Sequence, residues 1–265
     1  MESTNRDKSQ VQPSIESTTI FHQTGILNSL PDLAWSQVRG SSVKLRSKDS
    51  TWTECQVDGS SFVARFPGLF LYGAFGLRIF SYFAVPYYLS MAHLNLDPNQ
   101  VWLNGELQPF SQPLSDSQVK ELRESVMQVV GGDGSPRSYL AAVLLFRALG
   151  RRWSMDEVII SNPQELAAAV FKEKTDPHSS SKPISAIVQL LRAGWRWKTG
   201  SLFQTWKPSV AVRDGIVTVH VCSLSFEGEI ALSRHSYTFE QGRYSILNHQ
   251  AHPLATSGCV SIVDS

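Results

Sequence analysis

The rhythm of apolar and polar positions changes twice along the chain. Short alternating runs come first, Ser42-Val43-Lys44-Leu45-Arg46 and Thr51 to Val57, and Asp58-Gly59 offers a hairpin turn from the second run into Ser61 to Arg65. Phe66 to Leu96 is the most apolar stretch. Arg78 near its middle, Pro67, Pro86, Gly68, Gly73 and Gly76 argue against a spanning helix and for buried strands joined by tight turns. From residue 115 the period becomes helical. Ser115 and Gln118 form a capping box ahead of Val119, Leu122, Val126 and Val129, and Gly131-Gly132 is expected to stop that helix in a flexible link. Ser135-Pro136 opens a second helix that is apolar nearly all round and ends at Gly150. Asn162-Pro163-Gln164-Glu165 starts a third, and Pro183 to Gly194 reads as a fourth. Alternation then returns: Ser209 to Arg213, the turn Asp214-Gly215, and Ile216 to Phe226 form the clearest hairpin, with shorter strands at Ile230–Ser233 and Tyr237–Phe239.

Strands, then helices, then strands predict an α+β fold in which antiparallel strands pack with a central group of about four helices. Residues 1–19 are polar and read as a disordered tail, 20–248 as a single α+β domain, and 249–265 as a weakly structured C-terminal tail. With 42% hydrophobic residues the chain can build a substantial core. Its 24 basic residues nearly balance 23 acidic ones, so only a local cluster, not net charge, could attract an anionic partner.

The motifs that carry chemistry narrow the choice further. The three cysteines form no C-x-x-C pair, which removes the usual zinc-knuckle and redox spacings. The polar amino terminus lacks a basic-then-apolar secretory pattern, and Glu2 stands where myristoylation needs glycine; the expected location is cytosolic or nuclear, not secreted. Gly131-Gly132-Asp133-Gly134 is not followed by Lys-Ser/Thr, so no P-loop is read. His220 and Cys222 share a strand face and could form a nucleophile–base dyad, against the plainer reading of an ordinary packed face. His249 and His252 lack an accompanying carboxylate for a metal site. No catalytic residue, metal or cofactor is therefore assigned.

One segment concentrates chemistry of another kind. Arg192, Trp195, Arg196, Trp197, Lys198, Trp206 and Lys207 fall, with Phe203, in a stretch no acid interrupts. Trp rings settle at a membrane interface while cations meet anionic headgroups, and the same groups stack bases and neutralise phosphates. The competing reading is that the rings pack in the core and the cations line a strand edge.

Several features together resemble the central region of rhabdovirus-type matrix proteins. They are Pro109-Phe110 leading to Ser115-Asp116, an amphipathic helix, a Gly-rich link, an apolar helix ending at Leu149-Gly150, and the hairpin Val212 to Val219. The amino-terminal tail here carries mixed charge rather than that family's basic run. The resemblance implies a non-enzymatic viral structural protein that self-associates, lines a membrane, condenses the nucleocapsid and drives budding. Its expected partners are a second copy, an anionic membrane surface, and a nucleoprotein or other protein. A small cyclase- or isomerase-like enzyme or binding protein, enclosing an apolar ligand in an aromatic-rich cavity, is the alternative class.

Overall fold

The computed structural model describes residues 42–44, 51–55, 58–82, 88–110, 116–150, 157–170, 194–198, 206–225 and 230–257. The expected tail 1–19 and the expected helix after Ser181 lie outside them. The strands are β1 (Ser42–Lys44), β2 (Thr51–Cys55), β3 (Leu69–Leu71), β4 (Phe75–Tyr82), β5 (Tyr88–Leu94), β6 (Asp97–Leu103), β7 (Glu106–Pro109), β8 (Val130–Gly132), β9 (Glu157–Ile159), β10 (Trp195–Trp197), β11 (Ser209–Arg213), β12 (Ile216–Ser225), β13 (Ala231–Glu240) and β14 (Ile246–Ser257). The helices are α1 (Gly59–Ala64), α2 (Asp116–Val126), α3 (Pro136–Ala148) and α4 (Pro163–Val170). One sheet runs β1-β2-β4-β5-β6-β7 and a second runs β10-β14-β13-β12-β11, with β9 also on β12; every pairing is antiparallel. The fold is thus α+β.

Helix α3 holds the two sheets together. Ser135 caps it by accepting the Ser138 N–H at 3.1 Å, and Pro136 fills the first helical position, where a missing N–H costs nothing. Ten of its residues are buried, so no face is left for water. On one side the Ser90 hydroxyl of β5 donates to the Leu149 carbonyl (2.9 Å). On the other, Tyr139 packs on Phe239 and Phe146 meets Tyr237 edge-on. One apolar cluster runs from Phe62 and Leu77 through α3 to Val217, Val219 and Val221.

The apolar stretch from Phe66 supplies β3, β4 and β5 of this core. Arg78, within it, makes a two-pronged contact with Glu54 of β2 (2.7 and 3.1 Å) and lies over the rings of Phe80 and Phe110. Among the described residues no helix is long and apolar enough to cross a membrane. The third expected helix also appears. Asn162 accepts the Glu165 N–H at 2.9 Å, and the Glu165 carboxylate reaches back to Asn162 Nδ2 and to the Ser161 N–H, both at 2.8 Å.

Four expectations are corrected. Asp58-Gly59 does not turn a hairpin: Asp58 caps α1 by accepting the Ser60 and Ser61 N–H groups. Phe62, Val63 and Phe66 all enter the core at helical spacing, whereas strand alternation would split Phe62 from Val63. Gly131-Gly132 belongs to strand β8 on β3 and is no helical link. A Cβ at Gly131 would meet the Phe70 ring at 2.5 Å and one at Gly132 the Tyr244 ring at 2.3 Å, so close approach is what those glycines permit. The expected strands Ile230–Ser233 and Tyr237–Phe239 merge into one continuous β13, which starts at Ala231. Finally β14 reaches Ser257, well into the segment 249–265 expected to be weakly structured. Residues 247–253 of β14 are exposed on both faces, so they carry no apolar period to read.

Candidate functional site

The basic-aromatic segment is built by edge strand β10. Trp195, Arg196 and Trp197 pair with Ser257, Thr256 and Ala255 of β14, and the two-residue period sends both rings to one face. There they join a second apolar cluster with Ile160, Leu166, Trp206, Leu224, Leu232 and Leu254. Trp195 and Trp206 are 4% and 3% exposed and so lie within that cluster. Trp197 is half-buried and stacks on Trp206 (5.5 Å, 13°), its buried indole N–H finding no hydrogen-bond partner among the described residues. Arg196, Lys198 and Lys207 are exposed. The Lys198 N–H donates to the Leu254 carbonyl (2.9 Å), which holds the end of β10 on the sheet. The structure therefore separates what the sequence placed together: rings inward, cations outward. Arg192 and Phe203 lie outside the described residues.

A second polar cluster has no counterpart in the sequence reading. Across β12, β13 and β14, on the face toward α3, the Ser223 hydroxyl lies 3.0 Å from His235 Nε2, and His235 Nδ1 lies 3.1 Å from His249 Nε2. From the C-terminal end of α3, Arg147 donates to the Tyr237 hydroxyl (3.0 Å) and to Ser223 Oγ (3.3 Å). His249 lies flat on Tyr237 (4.2 Å, 7°). Burial, then the charge of Arg147, then His249 and His252, push the His235 imidazole down to about 2, so it stays neutral. His249 is exposed along the sheet margin but desolvated on its inner side, and this with Arg147 and Arg123 lowers it too.

Serine, histidine and a third group in line is the order of a nucleophile relay. Here the hydroxyl is 1% exposed and already accepts a hydrogen bond from Arg147, so an outside electrophile has no approach. The arrangement fastens α3 to the sheet. Sequence alone could not find it, because cross-strand register brings together residues 12 and 14 positions apart.

The other sequence candidates separate. His220 bonds Ser236 (2.8 Å), while Cys222 is buried in the second cluster, its thiol pushed up to about 12 by burial; a protonated thiol is no nucleophile. His249 pairs with Tyr237 and His252 with Arg234, on opposite faces of β14. Among the described residues no three metal-ligating side chains converge. A cleft of about 390 Å³ opens beside the Glu240–Ser245 turn, lined by Tyr72, Met127, Gln128, Val130, Arg243 and Tyr244. No protein-family model matches the chain, and no curated protein or solved structure matches it.

Proposed function

We propose that this is a non-enzymatic, matrix-like protein that self-associates and meets an anionic surface through the outer edge of its second sheet. The observation that carries this reading is the sorting on and beside β10: Arg196, Lys198 and Lys207 face solvent above a rigid floor of Trp195, Trp197 and Trp206. Cations anchored on a stiff strand keep their spacing, so less order is lost on binding. The rings act as that floor and not as membrane inserts, apart from the partly exposed Trp197. In this reading the helices form the central group on which both sheets rest. The protein works in the cytosol or nucleus as a peripheral membrane protein, with a nucleoprotein or another protein as its further partner.

Vesicle flotation tests it. Each cation near an acidic surface contributes about 1 kcal/mol, so vesicles rich in phosphatidylserine should float the protein, and less so as salt rises. Arg196→Glu with Lys198→Glu should abolish flotation at an unchanged melting temperature. Equal flotation with neutral vesicles, or normal flotation of the double variant, would overturn the reading.

A further inference from the structure

Strand β14 is paired unevenly. Along one side it meets β13 from Ile246 to Thr256, but on the other β10 covers only Ala255 to Ser257. Among the described residues, nothing pairs with that second side from Ile246 to Pro253. An open row of N–H and C=O groups is a template for another strand, and proteins usually protect it with charge, proline or shortness. The other outer strands of the two large sheets follow that rule: β1 carries Lys44, β7 carries Glu106 and Pro109, β9 Glu157, β10 Arg196 and β11 Arg213. From Ser245 to Ser257 there is no Lys, Arg, Asp or Glu. Residues 247–253 are exposed on both faces, Leu247 at 58%. Pro253, lacking an N–H, bounds the open run just before β10 begins.

We infer that the open edge of β14, Ile246 to Pro253, pairs antiparallel with the same edge of a second copy of this chain about a two-fold axis. An antiparallel edge is its own complement, because each copy offers the row of donors and acceptors that the other lacks. Its lack of charge lets two identical edges meet without like-charge repulsion, which a charged edge would not allow. Pairing joins the two second sheets into one continuous sheet. This deepens the self-association half of the proposed function and does not depend on the basic residues of β10.

Sedimentation equilibrium of the full chain, with cysteine cross-linking, tests it. The chain should dimerise at micromolar concentration, and Leu247→Lys with Ala251→Lys should raise the dimer Kd at least tenfold with an unchanged circular dichroism spectrum and melting temperature. If those lysines disturb folding, cross-linking still decides. In a background of Cys55→Ser and Cys259→Ser, single cysteines at Asn248, His249, Gln250 and Ala251 should include one near the axis that oxidises to a covalent dimer, while Thr218→Cys does not. A chain that stays monomeric at 100-fold higher concentration, a dimer indifferent to the lysines, or absence of cross-linking at all four positions would overturn the inference. Protected edge amides in a strict monomer would do so too, because the chain itself would then cover the edge. A dimer that fails to float on acidic vesicles keeps this inference and removes the basic-edge reading; flotation of a strict monomer does the reverse.

Discussion

Arg147 and Arg196 both stand beside aromatic rings, and they face opposite ways. Arg147 turns inward from the end of α3 and donates to Tyr237 and Ser223, beneath the packed face of the second sheet. Arg196 stands on an edge strand whose period sends Trp195 and Trp197 inward and leaves the cation in water. Both regions therefore mix cation and ring, but one is a fixed hydrogen-bonded joint and the other a screened, solvated margin. Composition of a segment says little about which of these it is; position in the sheet decides.

The comparison breaks most sharply on the ring side. Trp206→Ala opens a hole in the second cluster and should cost about 3–5 kcal/mol, and Leu145→Ala in α3 about 2–5 kcal/mol, both read by chemical denaturation. A small cost for Trp206→Ala would mean that the ring serves a surface rather than the core.

Acid should find the inward joint next. The folded-state value of His235 lies far below its ordinary 6.5, so its contribution to stability is present above 6.5 and is lost as pH falls, when the unfolded chain takes up a proton that the folded one refuses. At about 1.4 kcal/mol per pH unit, lowering pH from 7.5 to 5 should remove about 2 kcal/mol. In His235→Asn the denaturation midpoint should fall less steeply over the same range; an identical slope would assign the acid sensitivity elsewhere.

The outward margin should respond least. Arg196→Glu with Lys198→Glu should change stability by less than about 0.5 kcal/mol, as exposed substitutions do. Trp197→Phe should be as mild or slightly stabilising in thermal melts, since it keeps a ring on Trp206 and removes a buried indole N–H that has no partner among the described residues. A loss comparable to that of Trp206→Ala would show that the indole bond is made after all.

What could be read without coordinates was local. Ser135-Pro136 marks α3 by cap and proline, Asn162 with Glu165 marks α4, and Asp214-Gly215 marks the β11–β12 turn. Asn104-Gly105, with φ of 52° and 88°, is an equally clear hairpin signal and turns β6 into β7. Asp58-Gly59 misled because the same residues that turn a hairpin also cap a helix; the burial of Phe62, Val63 and Phe66 decided between them. The Ser223–His235–His249 line depends on pairing between residues 12 and 14 positions apart, which no local pattern shows, and along the open edge of β14 both faces meet water, so no apolar period marks the register.

Asp214 and Gly215, at φ of 51° and 75°, form the tight turn between β11 and β12, and β12, β13 and β14 follow as an up-and-down meander of sequence neighbours. Closing such hairpins costs little chain entropy, whereas β9 and β10 must come back to this sheet from far earlier in the chain. The expected order of assembly is that the meander forms early as a platform and β10, with its tryptophans, docks late. Gly215→Val, strained at that φ, should therefore act on time more than on endurance, slowing refolding severalfold while the unfolding rate changes little.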